Sequence, residues 1–240
     1  MRAIALLGRH WPELGPLVLV ELDDGGALAL SRGAQPKVYA HKDPNEDAAL
    51  LVRLPEGVLL AVADGFNGVE VAELAIERAR ASAERLLLAS GAEFCARISD
   101  LLDDVRTRLP RGSESRACLV LASLRGARCE LASFGDAFAF RACSPLPLIP
   151  QNQILVGSER GSREIDPVRW YRTFERAPRE RIALVSDGVV NFMPDPSEIP
   201  GVLAASSTDL ECARTLALAA LRGGAGDNVA VAAFAGDTAL

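Results

Sequence analysis

Short apolar runs bounded by Asp, Gly and Pro recur along the chain, a pattern typical of β-strands joined by turns. Residues 17–22 and 27–31 are joined by Asp23-Asp24-Gly25-Gly26, which predicts a hairpin. The runs AALLVRL and VLLAVAD are predicted to pair across Pro55-Glu56-Gly57. Further strands are predicted over 116–124, over 129–142, in RIALVS before Asp187, and in VAVAAF after Asn228.

Longer segments predict helices. Residues 70–89 and 93–109 repeat their apolar positions with a helical period, and Pro110 ends the second segment. A capping box beginning at Thr208 starts a third helix that runs to Arg222. Because helices and strands do not alternate regularly, the pattern predicts an α+β fold with antiparallel sheets. No linker or repeat divides the chain, so we expect a single domain over residues 1–240.

Acidic residues lie at the ends of four predicted strands, at Glu46-Asp47, Asp64-Gly65, Asp187-Gly188 and Asp227-Asn228. In antiparallel pairs the end of one strand lies beside the start of its neighbour, so these carboxylates would gather at one edge. Crowded carboxylates repel each other, and oxygen ligands favour Mg²⁺ or Mn²⁺ over zinc. One Asp-Gly after a strand is typical of a turn, as at Asp24-Gly25, but the whole set favours a metal site.

Composition narrows the class of protein. With 49% hydrophobic residues, 240 residues can bury a large core. With a net charge of −6 and a pI near 5.1, the chain does not have the excess of basic residues that is typical of proteins that bind nucleic acids or anionic membranes. The five cysteines form no C-x-x-C pair, which favours reduced thiols. With no signal-peptide pattern and no long apolar run, we expect a soluble, cytoplasmic protein.

Five motifs, in chain order, carry a family resemblance: NEDA, AVADGFNG, SFGDAFAFR, LVSDGVVN and GDNVAVAAF. Together they resemble the metal-dependent serine/threonine protein phosphatases of the 2C type, over about Asn45 to Phe234. The resemblance implies a four-layer sandwich of two antiparallel β-sheets flanked by pairs of α-helices. It also implies hydrolysis of phosphoserine and phosphothreonine in proteins by a metal-activated water, without a protein nucleophile.

The resemblance further implies a set of metal ligands. Asp64 would be shared by two Mg²⁺ or Mn²⁺ ions, with the carbonyl of Gly65 as a ligand. Asp187 and Asp227 would complete the second ion, and Glu46 and Asp47 would hold the ions or their waters. Asp136, in FGDA, would match a ligand of a third, looser ion in bacterial members.

The chain departs from the family pattern on the substrate side. Lys42 stands where the family places a phosphate-binding arginine, and it is either a phosphate ligand or a solvated residue. Phe66 replaces a histidine of eukaryotic relatives, which leaves His41 as a candidate proton donor. FGDAF lacks the family's serine and arginine. The segment between Arg141 and Arg181 is short and lacks a threonine-aspartate-histidine stretch, so the flap region is remodelled.

Three hypotheses follow. The first is a phosphatase that acts on phosphorylated protein substrates. The second is a catalytically weak or inactive relative that binds a partner, which the lost arginine and the altered flap favour. The third is a phosphatase of small phosphorylated metabolites. The carboxylates at three strand ends favour an enzyme, since a partner-binding surface does not require them.

Overall fold

The structure is a computed structural model that describes residues 1–38, 41–158 and 165–236. Within these residues it contains eleven strands and six α-helices. The strands are β1 Arg2–Leu7, β2 Val18–Glu21, β3 Ala27–Ser31, β4 Ala48–Leu54, β5 Gly57–Phe66, β6 Arg116–Arg125, β7 Arg128–Phe134, β8 Phe138–Arg141, β9 Tyr171–Glu175, β10 Ile182–Val185 and β11 Val229–Phe234. The helices are α1 Glu70–Ala81, α2 Ala83–Leu88, α3 Ala92–Arg108, α4 Asp187–Phe192, α5 Ile199–Ala205 and α6 Asp209–Arg222.

The strands form two antiparallel sheets. One sheet has the order β1-β4-β5-β6-β7-β9, and the other has the order β2-β3-β11-β10-β8. Both predicted hairpins are present, since Val18 pairs with Leu30 and Leu54 pairs with Gly57. The chain crosses between the two sheets several times, and one of these crossings is the turn between β7 and β8.

Three apolar cores separate four layers. Alternate residues of β5 face opposite ways: Leu59 and Ala61 pack under α1–α3, whereas Leu60 and Val62 pack between the sheets. A third core joins the outer face of the five-stranded sheet to α4–α6. The predicted α+β sandwich of two antiparallel sheets with helical outer layers is therefore confirmed.

Several predicted elements differ in detail. The helix predicted over 70–89 is interrupted at Ser82, which divides it into α1 and α2. The strand predicted over 129–142 is two strands in different sheets, because Gly135 adopts φ +80° and turns the chain. The strands β1 and β9 and the short helices α4 and α5 were not predicted. In the part of the chain that the structure describes, no helix is long and apolar enough to cross a membrane.

Candidate metal centre

Asp64 lies within a strand and does not belong to a turn. Strand β5 continues through Phe66, and Asp64 pairs with Cys118 of β6. The turn that follows uses Asn67 at φ +58° and Gly68 at φ +121°. Asp64 continues the alternation of Leu60 and Val62, so its side chain projects toward the space between the sheets. The Asp-Gly pair therefore carries a carboxylate that the turn does not need.

Three aspartates converge at this point. Asp64, Asp136 and Asp187 each offer a carboxylate oxygen, and these oxygens lie within 4.8 Å of one another. Asp136 comes from the turn between β7 and β8, and Asp187 is the first residue of α4. Oδ2 of Asp187 also accepts a hydrogen bond from Nδ2 of Asn191 at 2.9 Å. This grouping of carboxylate oxygens has the donor chemistry that Mg²⁺ and Mn²⁺ prefer.

Asp47 and Asp227 extend the acidic group. Asp47 is only 1% exposed, and neither of its carboxylate oxygens accepts a hydrogen bond from the residues that the structure describes. Asp227 repels both Asp47 and Asp64, so all three carboxylates feel one another's charge. A buried carboxylate without donors is costly unless a cation compensates it, and this residue therefore fits a metal site.

The pKa values of three of these aspartates are raised, because nearby positive charge does not balance their buried negative charges. Burial raises the pKa of Asp47 to about 8 and that of Asp187 to about 9. Burial also raises the pKa of Asp64 well above its ordinary value, and the neighbouring carboxylates of Asp47 and Asp227 add to the shift. The residues present fit divalent cations, which would stabilise the ionised carboxylates.

Glu46 and Gly65 hold the backbone around the centre. Oε1 of Glu46 accepts hydrogen bonds from the backbone N–H of Gly68 at 2.6 Å and of Lys42 at 3.3 Å. A Cβ atom on Gly65 would lie 2.5 Å from the carbonyl oxygen of Glu46. Only glycine therefore allows strand β5 to approach the backbone of Glu46 so closely. Glu46 lies outside the group of Asp64, Asp136 and Asp187, and its hydrogen bonds order the loops beside them.

Lys37 is a residue of the centre that the sequence analysis missed. Nζ of Lys37 lies 3.2 Å from Oε2 of Glu46 and 3.4 Å from Oδ1 of Asp227. Burial alone would lower the pKa of Lys37, but the carboxylates of Asp47, Asp227 and Glu46 outweigh it and raise the pKa. A lysine in a polar connection is typical of solvated surface, so no local signal in the sequence marks this residue.

Asn228 was also missed as a functional residue, although it belongs to the DN motif. Oδ1 of Asn228 accepts a hydrogen bond from the backbone N–H of Glu46 at 2.8 Å. Nδ2 donates to the carbonyl oxygens of Arg32 at 3.0 Å and Pro44 at 3.1 Å. This one side chain joins the segments that carry Lys37, Glu46 and Asp227.

The two candidate substrate residues lie on the surface. His41 and Lys42 line an open pocket of about 360 Å³ together with Asn67, Gly112, Ser113 and Glu114. The side chain of Lys42 is 68% exposed, and Nζ lies 3.6 Å from Oε1 of Glu70. The structure therefore places both residues beside the loop after β5, outside the group of converging carboxylates.

No family model matches the chain, and no curated protein matches it in sequence. Solved structures do share its fold. PppA, a key regulatory component of the T6SS in Pseudomonas aeruginosa, is 23% identical with a TM-score of 0.65, over 87% of this chain and 95% of that protein. The Mycobacterium tuberculosis serine/threonine phosphatase PstP is 23% identical with a TM-score of 0.64, over 92% of this chain and 100% of that one.

Two further structures contain groups that bear on the centre. The catalytic domain of PstP was solved in complex with two manganese ions and has a TM-score of 0.60 at 23% identity, over 92% of this chain and 100% of that one. MsPP, a PPM phosphatase from Mycobacterium smegmatis, was solved with cacodylate; it is 19% identical with a TM-score of 0.64, over 90% of this chain and 100% of that one. At these identities the likeness concerns architecture, and the chain has the fold of bacterial PPM serine/threonine phosphatases.

Proposed function

We propose that the chain is a metal-dependent phosphatase that hydrolyses phosphoserine and phosphothreonine monoesters in proteins. The observation that supports this most is the convergence of the Asp64, Asp136 and Asp187 carboxylates beside Asp47, a buried carboxylate that accepts no hydrogen bond from the described residues. The shared fold with PPM phosphatases supports the same reaction class.

The aspartates would divide the work of holding the ions. Asp64 would be a ligand common to two ions, and the backbone carbonyl of Gly65 would be a further ligand. Asp187 and Asp227 would complete the ligands of the second ion. Asp136 would bind a third ion. When bound, Mg²⁺ or Mn²⁺ would supply the positive charge that stabilises the phosphoryl transition state and activates water. Glu46 and Asn228 would keep the ligand-bearing loops in register through their hydrogen bonds.

We infer that water attacks the phosphorus atom, because the thiol nearest to the aspartates is a poor nucleophile. Cys118 pairs with Asp64 across the sheet, but burial and the carboxylates of Asp64 and Asp136 raise the pKa of its thiol. A protonated thiol is a poor nucleophile, so Cys118 does not supply a covalent route. Lys42 would offer a point charge to the phosphate, and His41 would donate a proton to the leaving group, from the pocket that they share.

The alternative is a relative that binds a partner with little turnover. The pairing of Lys42 with Glu70 favours this hypothesis, because it directs the candidate phosphate ligand toward a carboxylate. The converging carboxylates oppose it, since partner binding does not require a half-buried acidic group at the junction of two sheets.

Hydrolysis assays distinguish these functions. The substrates are a phosphothreonine peptide and p-nitrophenyl phosphate, each with Mn²⁺ and with a chelator. We expect metal-dependent activity in the wild type and a loss of at least about a hundredfold in Asp64→Asn, as for removal of a central electrostatic group. Asp23→Asn, at an exposed hairpin turn, is the matched control and should retain activity. Folded, metal-loaded protein without activity on either substrate would favour the partner-binding hypothesis.

A further inference from the structure

Lys37 brings an ammonium group into the centre where cations are expected. Its side chain is 2% exposed, and it contacts Glu46 and Asp227 at 3.2 and 3.4 Å. It also attracts Asp47, whose oxygens have no hydrogen-bond donor among the described residues. The ammonium group thus compensates the side of the centre formed by Glu46, Asp47 and Asp227.

The backbone holds this lysine in place. The N–H of Ala34 donates to the carbonyl oxygen of Ala225 at 2.8 Å, and the side chain of Asn228 donates to the carbonyl oxygen of Arg32 at 3.0 Å. The residues that precede the lysine are therefore attached, through two hydrogen bonds, to the segment that carries Asp227. The position of the ammonium group follows from the fold and is more than a chance rotamer of a surface side chain.

We propose that Lys37 is a built-in cation that substitutes for one of the two divalent ions of the centre, on the side of Asp47 and Asp227. This inference rests on the proposed metal-dependent function. An ammonium group and a divalent ion beside the same oxygens repel each other strongly at such distances. One ion therefore binds tightly where the carboxylate oxygens of Asp64, Asp136 and Asp187 converge, so Asp136 belongs to this first site and not to a separate third one. A second ion, on the side of Asp227, binds only by displacing Lys37.

The residue type suits this role. Lysine is a compact point charge on a flexible stem, so it fits among carboxylates and can also move away from them. Lys37 and Lys42 are the two lysines of the chain, whose other basic residues are arginines and two histidines. Lys42, being exposed, is the matched control for the loss of one ammonium group near the centre.

Manganese binding tests the proposal without an activity measurement. Full-length wild type, Lys37→Met and Lys42→Met are stripped with a chelator and titrated with Mn²⁺ by calorimetry and electron paramagnetic resonance. We expect one tight ion with the hyperfine pattern of isolated Mn²⁺ in the wild type and in Lys42→Met. Lys37→Met should bind two ions with an exchange-coupled signal, the second at least about tenfold more tightly than in the wild type.

The contrary outcomes separate this proposal from the proposed function. Two ions of similar affinity in both wild type and Lys37→Met would overturn the role of Lys37 and leave the phosphatase proposal intact. No Mn²⁺ binding in any variant would overturn both. If Lys37→Met does not fold, reductive methylation of the wild type decides. Lys37 should stay protected with one equivalent of Mn²⁺ and react in excess Mn²⁺, whereas reactivity at the first equivalent would overturn the proposal.

Discussion

The buried carboxyl group of Asp47 should make the stability of the metal-free protein depend on pH. Its pKa of about 8 results from burial and from the charge of Asp227, although Lys37 opposes the shift. In the metal-free protein, protonation of Asp47 therefore contributes to the free energy of unfolding. This contribution is complete below about pH 4 and is lost as the pH rises through about 8. We expect Asp47→Asn to stabilise the metal-free protein by roughly 1–3 kcal/mol near pH 9 and much less near pH 6.

Urea denaturation in chelator at the two pH values measures this effect. The same variant should gain less stability from Mn²⁺ than the wild type gains, because it lacks one of the buried negative charges that attract the ion. Asp23→Asn removes an exposed carboxylate and should change neither the stability in chelator nor the stability gained from Mn²⁺. A variant that is less stable than the wild type at both pH values would show that the Asp47 carboxylate contributes packing or hydrogen bonds to the metal-free fold.

The sequence predicted the convergence of the aspartates at this scale, but not the cation beside them. Asp64 and Asp187 each follow an apolar strand, so the strand pattern predicts that they meet, whereas Asp136 was expected in the centre only from the family resemblance. Lys37 lies in a connection without periodicity, and its burial arises from contacts across loops distant in sequence. Its role therefore depends on tertiary structure that no local pattern records.

Helix α4 shows how an element fixes the geometry of the centre. It begins at Asp187, and a Cβ atom on Gly188 would lie 1.9 Å from the carbonyl oxygen of Asn228. The missing side chain lets the helix start against the segment that carries Asp227. We expect Gly188→Ala to destabilise the protein by about 1–3 kcal/mol and to weaken Mn²⁺ binding, because the backbone must move apart.

Gly201→Ala in α5 is the matched control, since a Cβ atom there meets nothing within 4 Å. This exposed helical position should gain roughly 0.5–1 kcal/mol from alanine. Thermal or urea denaturation of both variants, with Mn²⁺ titrated into each, provides the comparison. Equal stability of the two variants would mean that the contact between Gly188 and Asn228 is loose.

At this scale, the pattern predicted the hairpins and long helices but missed the short elements. Helix α4 is six residues long, too short for an apolar period to be visible. The run from 129 to 142 has apolar residues on both sides of Gly135 and is predicted as one strand, and only the left-handed backbone at Gly135 shows that it crosses between sheets. Asp136 owes its place in the centre to that crossing.

In the whole molecule, the centre lies where the two sheets meet. The strand pattern predicts that the four acidic strands share one sheet edge. In the structure, β4 and β5 pair in one sheet, whereas β10 and β11 pair in the other. Strand pairing between distant segments is not encoded in any short motif, so the strand pattern predicted that the carboxylates meet but not that two sheets supply them. The two-sheet sandwich followed from the family resemblance.

A cation held from both sheets should stabilise them together. Asp64 belongs to β5 in the six-stranded sheet, whereas Asp187 follows β10 in the five-stranded sheet. Ligand binding to the folded state alone adds stability by mass action, roughly 2–3 kcal/mol at about a hundred times the dissociation constant. We therefore expect Mn²⁺ to raise the free energy of global unfolding by this amount, and Asp187→Asn to remove most of the gain.

Hydrogen exchange read by mass spectrometry locates the stabilisation. Because the cation would connect the sheets, amides of β5 and of β11 should both exchange more slowly with Mn²⁺, and both should lose that protection in Asp187→Asn. Asp23→Asn, far along the chain in a hairpin turn, should respond to Mn²⁺ as the wild type does. Protection confined to β5 would contradict a cation shared between the sheets, since an ion held by Asp64 alone would leave β11 free to open independently.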